Sequence, residues 1–265
     1  MAPHTTITVV HEGAVDWLTL NRPERLNALN GTMVRELWDY FSSLESDHSR
    51  RVVVMRGAGS AFCAGLDLKA QNDPSSEAAG ESAADWGVSL SDLVKKMRAC
   101  PQPIVCLVHG AACGGGFIFA LSSDIRIAGR SAKMNVAFVK LGLSGCELGT
   151  SYYLPRMVGL SIASELMMTG RFIHADRAVA TGLVSQVVDD DALEAAGREM
   201  AADLLLTSPM GLRKTKETLN LAMMSNDVDT IIKLEEHTQM QCMRGPDFEE
   251  AMTAFAEKRA PRFRA

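Results

Sequence analysis

Apolar and polar positions along this chain follow two different periods, and the places where the period changes mark its elements. Residues 7–10 and 15–20 alternate around a Glu12-Gly13 turn, which predicts a hairpin. Asn21-Arg22-Pro23 breaks that pattern. Met33, Val34, Leu37, Trp38, Phe41 and Leu44 then recur at helical spacing behind Asn30, a good capping residue. Residues 52–55 read as a buried strand running into the loop 57–60, and residues 70–85, small, polar and without a period, as a surface loop. A helix is predicted over 89–99, stopped by Pro101 and Pro103. The grammar then repeats: a strand over 104–108, a glycine-rich turn over 110–116, a buried helix over 117–121 and a strand over 125–128. His109 ends a strand in this scheme. After Gly149 the pattern turns helical, with breaks at Pro155, Gly170, Gly182 and Pro209, and 191–257 contains no convincing strand.

Strands alternating with helices, followed by a helical tail, predict an α/β domain over 1–200 with a helical region over 201–265. A length of 265 residues suits one large domain or two small ones. Lys and Arg total 27 against 32 Asp and Glu, net −5, which argues against binding nucleic acid through its phosphates. Apolar runs stay far below the ~20 residues of a membrane helix, and MAPHTTITVVHEG lacks the basic and apolar regions of a signal peptide. A cytoplasmic globular protein with no membrane partner is expected. The six cysteines form no C-x-x-C pair, so they read as free, mostly buried thiols rather than a disulfide or zinc framework. Met157, Met167, Met168, Met223 and Met224 fall in helix-like apolar stretches and read as core filler.

Three familiar signatures fail on their letters. Gly57-Ala58-Gly59 has Phe62 where a dinucleotide loop needs its third glycine; Gly110 and Gly115 are followed by Gly116 and Phe117, not the Lys and Ser/Thr of a phosphate loop. Gly142-Leu143-Ser144 has Cys146 where a nucleophile elbow closes with glycine. Two loops remain, SAFCAGLDL over 60–68 and HGAACGGG over 109–116, each following a strand. Glycines opening an apolar helix leave N–H groups unpaired and aimed at one spot, so two such loops can build an oxyanion hole from backbone donors. They can equally be tight turns in a packed fold, and spacing alone leaves both readings open.

The phrases LNRPERLNALN, GSAFCAGLDL, IVCLVHGAACGGGF, SSDIRIAG, ATGLVSQVV and FAEKRAPRF, in this order and over nearly the whole chain, resemble the enoyl-CoA hydratase/isomerase, or crotonase, superfamily. The resemblance implies a spiral of β-β-α units with a helical C-terminal trimerisation region, assembled as a homotrimer or a dimer of trimers. It implies coenzyme A thioester substrates, an enolate-like intermediate, and no cofactor or metal beyond the CoA of the substrate. Matched position by position, Ala64 and Gly115 stand where backbone N–H groups hold the thioester oxygen. Gly65, Leu66, Asp67 and Leu68 match the segment lining the CoA moiety, and Arg25, Leu26, Ala28 and Phe138 fall at substrate- or CoA-binding positions. Phe255 and Lys258 match residues reaching the nucleotide on a neighbouring subunit. CoA phosphates call for local cations on a net acidic chain, and Arg22 with Arg25, or Lys258 with Arg259 and Arg262, can supply them.

The departures bear on the reaction. Hydratases of this family carry two glutamates, and the matching positions here are Ile118 and Phe138. Water addition needs one group to activate water and another to deliver a proton to the α-carbon, and these side chains do neither. One acid stands nearby: Glu147, whose position resembles that of the acidic residue in family isomerases, including dienoyl-CoA isomerases. It is either the proton-transfer group or a cap on the helix starting near Thr150, with Cys146 and Ser144 as lesser candidates. Shifting a double bond, which one base can do, fits better than hydration; a hydratase using Glu147 and water, and a non-catalytic acyl-CoA-binding protein, are the alternatives.

Overall fold

The computed structural model describes residues 4–69 and 86–263. The expected surface loop 70–85 lies outside the described residues. The hairpin forms as strands β1 (Ile7–Glu12) and β2 (Val15–Leu20), paired antiparallel with Ile7 opposite Leu20. Four parallel strands extend the sheet: β3 (Val52–Gly57), β4 (Ile104–Val108), β6 (Ile125–Gly129) and β9 (Gln186–Val188). The apolar runs of β3 and β4 are continuous because helices cover both faces, as parallel sheets require. A second, three-stranded sheet pairs β5 (Ala111–Cys113) in parallel with β7 (Lys133–Asn135), which pairs antiparallel with β8 (Ile173–His174). β4, β5 and α3 (Gly115–Ser122) form one repeat of the spiral, with the first strand in the large sheet and the second in the small one. The short strands β5, β7, β8 and β9 escape a sequence reading because two or three residues carry no period.

On one face of the large sheet, α1 (Gly31–Ser43), α2 (Leu90–Ala99) and α3 bury Leu37, Phe41, Leu93, Met97, Phe117 and Phe119 with Leu18, Met55 and Cys106. Asn30 caps α1 as expected, its side chain accepting the Met33 N–H at 3.0 Å. The opposite face is covered by α7 (Leu193–Leu205), whose Leu193, Ala196 and Ala201 pack on Trp17, Val54, Leu107 and Ile127. Arg198 and Arg56 stand over the Trp17 ring at 4.5 and 5.0 Å, and both pair with Glu194. The division expected at 200/201 falls inside α7, which runs through residue 200 and packs on the sheet. Pro155 likewise does not break the chain: α4 (Thr150–Val158) continues through it and ends where the Gly159 N–H meets the Pro155 carbonyl.

Three helices follow the core: α8 (Pro209–Ala222), α9 (Val228–Met243) and α10 (Pro246–Ala256). Lys216 anchors α8, its buried ammonium reaching the Gln102 carbonyl at 2.8 Å and Asp124 at 2.7 Å. No described helix is long and apolar enough to cross a membrane.

Candidate active site

Three backbone segments meet above the C-terminal ends of β3 and β4. The loop after β3 is laced to the segment holding β5: Phe62 N–H donates to the His109 carbonyl (2.9 Å), Cys63 N–H to Ala111 (3.0 Å) and Cys113 N–H to Cys63 (2.9 Å). The approach is so close that a Cβ on Gly116 would stand 2.2 Å from the Cys63 carbonyl oxygen. The third segment, residues 26–29, runs along the other side of the first loop. Ala64 N–H donates to the Leu26 carbonyl (3.0 Å), Leu29 N–H to Gly65 (2.7 Å), and Asp67 N–H to Leu29 (3.0 Å).

This ladder corrects the expectation for Ala64. Its N–H is spent on Leu26, so it is not an open donor. Leu66 forms a parallel bridge with Leu29, in which the bonds run from the residues flanking Leu66. The Leu66 N–H therefore faces away from residue 29 and has no acceptor among the described residues. Gly115 lies at a helix start, as the glycine run predicted. Gly114, held at φ +49° with its N–H on the Asn135 carbonyl (3.1 Å), turns the chain into α3, and Gly115 opens that helix with an N–H that has no acceptor among the described residues. The positive end of the helix adds to the field there. The sequence signal for Leu66 was available in its place one residue beyond Gly65; choosing between alternate N–H groups of an extended segment requires knowing which neighbour it pairs with.

Leu66 and Gly115 share a cavity of about 210 Å³ with Phe138, Glu147, Leu148, Ser89, Leu90 and Ser91. Phe138, 4% exposed in the 3-10 turn Ala137–Leu141, brings its ring edge to 3.4 Å from the Cβ position of Gly114. Ile118 is buried inside α3 and lies outside this lining. Among the described residues, Glu147 is the only ionisable side chain of the lining. It is exposed, and its carboxylate makes no hydrogen bond or ion pair among the described residues. It is not the helix cap either. Gly149 occupies the cap position without a side-chain bond, and it is the Glu147 carbonyl that accepts the Thr150 N–H (2.9 Å) and Oγ1 (2.7 Å). Leu148 follows at φ +52°, a conformation that costs a branched side chain free energy, so the turn presenting Glu147 is strained.

The remaining expected site residues divide. Asp67 is buried, and its carboxylate accepts Arg22 Nη2 at 2.8 Å. Arg22 also donates to the Ala28 carbonyl, so it serves the fold and is not an open phosphate ligand, as the basic pair Arg22 and Arg25 had suggested. Arg25, Leu26 and Leu68 are exposed near this edge, whereas Ala28 is buried. Phe255 (82% exposed) and Lys258 sit at the end of α10, outside the cavity lining. Arg259 beside them is held by Glu250 and Glu257 at 2.6 Å each. Cys146 is exposed, its N–H on Ser144 Oγ (3.0 Å). Burial pushes the Cys63 thiol up to about 12, so it is no nucleophile.

Residues 11–265 match the family model for enoyl-CoA hydratase/isomerase. The chain is 38% identical over 257 residues to a 1,2-epoxyphenylacetyl-CoA isomerase of Escherichia coli, covering 95% of each chain. It is 32% identical over 249 residues to the mitochondrial Delta(3,5)-Delta(2,4)-dienoyl-CoA isomerase of Mus musculus, covering 91% of this chain and 76% of that one. The crystal structure of an enoyl-CoA hydratase from Bacillus anthracis superimposes with a TM-score of 0.90 at 30% identity, covering 98% of this chain and 99% of that one. With its β-β-α architecture and glycine-loop cavity, the chain belongs to the enoyl-CoA hydratase/isomerase family.

Proposed function

We propose that this enzyme shifts a double bond in an acyl-CoA thioester. The N–H groups of Leu66 and Gly115 stabilise the enolate oxygen and Glu147 carries the proton. With a 3-enoyl-CoA, the Glu147 carboxylate removes a proton from the α-carbon, and the electron pair moves into a dienolate whose negative charge rests on the thioester oxygen. The same carboxyl group then returns the proton to the γ-carbon, leaving the double bond conjugated with the carbonyl. Proton and electrons balance without a cofactor, because CoA arrives with the substrate. The observation that carries this reading is that, among the described residues, the cavity holding both open donors is lined by a single ionisable side chain. The apolar ring of Phe138 occupies the place where a hydratase needs a second acid.

The cavity favours a compact acyl group. A 150 Å³ apolar cavity accommodates benzene, so ~210 Å³ suits a phenyl ring or a short chain with a few further carbons. Incubation with 2-enoyl-, 3-enoyl- and dienoyl-CoAs tests the reading directly: a migrated double bond supports it, a 3-hydroxyacyl-CoA makes the enzyme a hydratase, and binding without turnover makes it a carrier.

The C-terminal helices fit assembly with further copies of this chain. No residue of α9 is buried, and Val228, Ile232, Met240 and Met243 are 46–67% exposed along it. A groove of about 910 Å³ between α8, α9 and α10 continues that apolar surface. A trimer covers it and brings Phe255 and Lys258 toward the CoA nucleotide of a neighbouring subunit.

A further inference from the structure

Leu29 lies between the two segments that carry the open donors of the cavity. Its backbone grips the segment carrying Leu66 from either side, through the Leu29 N–H to the Gly65 carbonyl (2.7 Å) and the Asp67 N–H to the Leu29 carbonyl (3.0 Å). Its side chain, wholly buried, meets the other donor. A Cβ on Gly115 would stand 2.7 Å from Leu29 Cδ1, and among the described residues outside the glycine's own helix and chain neighbours only Leu29 would lie within 4 Å of it. The hydrogen bonds between the two glycine loops join Phe62 to His109 and Cys63 to Ala111 and Cys113, two or more residues away from the donors themselves. Leu29 is thus a bridge from Leu66 to Gly115 made of one residue's backbone and side chain.

We propose that Leu29 is a positioning residue that sets the separation of the Leu66 and Gly115 N–H groups, and with it the fit of the site to an enolate oxygen. This rests on the reading of those two groups as the oxyanion donors. An oxyanion hole stabilises the transition state only if its donors stand at hydrogen-bond distance from the developing charge, and a displacement of about 1 Å can cost about 10²-fold in rate. Shortening the side chain leaves the first turn of α3 free to settle toward residue 29, which opens the angle between the donors without touching the CoA contacts or the base. Leu29 therefore acts on turnover rather than on affinity.

The test uses the full-length protein and a saturated acyl-CoA carrying ¹³C at the thioester carbonyl, with infrared difference spectra of the bound ligand beside steady-state double-bond migration. In the wild type the carbonyl stretch moves to lower wavenumber on binding. In Leu29→Ala that shift is largely lost and kcat falls about 10²-fold, while KM stays within about threefold. Leu29→Met, of similar volume, retains both. A core leucine with only a structural role would lower the melting temperature and leave the band and the kcat of the folded protein where they were. If Leu29→Ala does not fold, Leu29→Val gives the same reading with a smaller loss, about tenfold. A wild-type band that does not move on binding overturns the hole itself. A band that moves in the wild type and moves as far in folded Leu29→Ala or Leu29→Val overturns the role of Leu29 alone.

Discussion

Replacing Glu147 by Gln removes a base and changes almost nothing else. The side chain is exposed, makes no hydrogen bond or ion pair among the described residues, and leaves the helix start to its own carbonyl and to Gly149. Stability should therefore stay within about 0.5 kcal/mol of the wild type, the ordinary range for a surface change. General acid–base catalysis contributes about 10²–10⁴-fold, and no other ionisable group of the described residues lines the cavity to take over. Solvent does reach this position, so water can carry part of the proton transfer. The expected loss lies toward the lower end, about 10²–10³-fold in kcat or roughly 3–4 kcal/mol of barrier. The rise in ultraviolet absorbance as a 3-enoyl-CoA becomes conjugated follows the rate, calorimetry the affinity, and thermal denaturation the fold. A folded Glu147→Gln enzyme that turns over at the wild-type rate refutes the assignment. A melting temperature that falls in step with the rate would instead make Glu147 a structural element of the turn at Leu148.

Further outcomes follow from the same geometry. Ile118→Glu places a carboxyl in the core of α3, so it should destabilise by several kcal/mol in denaturant titrations, whereas Phe138→Glu, at the cavity wall, should fold better and raise hydration of a short 2-enoyl-CoA; a folded Phe138→Glu with no gain counts against the match of that position to a hydratase acid. Gly116→Ala should cost stability and activity together, since its methyl meets the Cys63 carbonyl oxygen at 2.2 Å, and a variant as stable as wild type would show the loops to be less tightly laced than described. Lys258→Ala should weaken acyl-CoA binding about tenfold, less as salt rises; titration calorimetry at two ionic strengths checks both. Glu165 is held down to about 2 by the Arg177 guanidinium, with Arg171 adding to it. A lowered carboxyl pKa stabilises fully above its ordinary value of 4.5 and is lost as pH falls toward 2, so Glu165→Gln should lose less melting temperature than the wild type between pH 5 and pH 3.

The large sheet, apart from the three-residue β9, was legible because its strands are long enough to carry a period. The alternation of residues 7–20 and the apolar runs at 52–55 and 104–108 each bury a face or two, and the pattern records that burial. The small sheet was not, because β5, β7 and β8 are three, three and two residues long and are held by pairing with distant segments. Phe138 and Glu147, singled out by matching the chain to the family's motifs, both fall in the cavity lining, because the proposal for each rests on side-chain type, which a sequence displays. Arg22 could not be read that way: its partner Asp67 lies 45 residues away, and only the fold shows that the pair closes on itself.

Backbone donors are the hardest part of such a site to read, for a physical reason. Every residue but proline has an N–H, so residue type says nothing about which one is open. What decides is where neighbouring segments place their carbonyls. The 26–29 segment takes up the N–H groups at Ala64 and Asp67 and leaves the one at Leu66; had its register slipped by one residue, a different donor would be open. The glycines carry a different kind of information: Gly65 and Gly114 have φ of +89° and +49°, and Gly116 stands where a side chain would strike Cys63, so they mark where backbones must approach. The open donors then lie next to these glycines as Leu66 and Gly115. Because the identity of a donor follows from the register of the strand beside it, anything that holds that register, as Leu29 and the Arg22–Asp67 pair do, acts on the chemistry without touching the substrate.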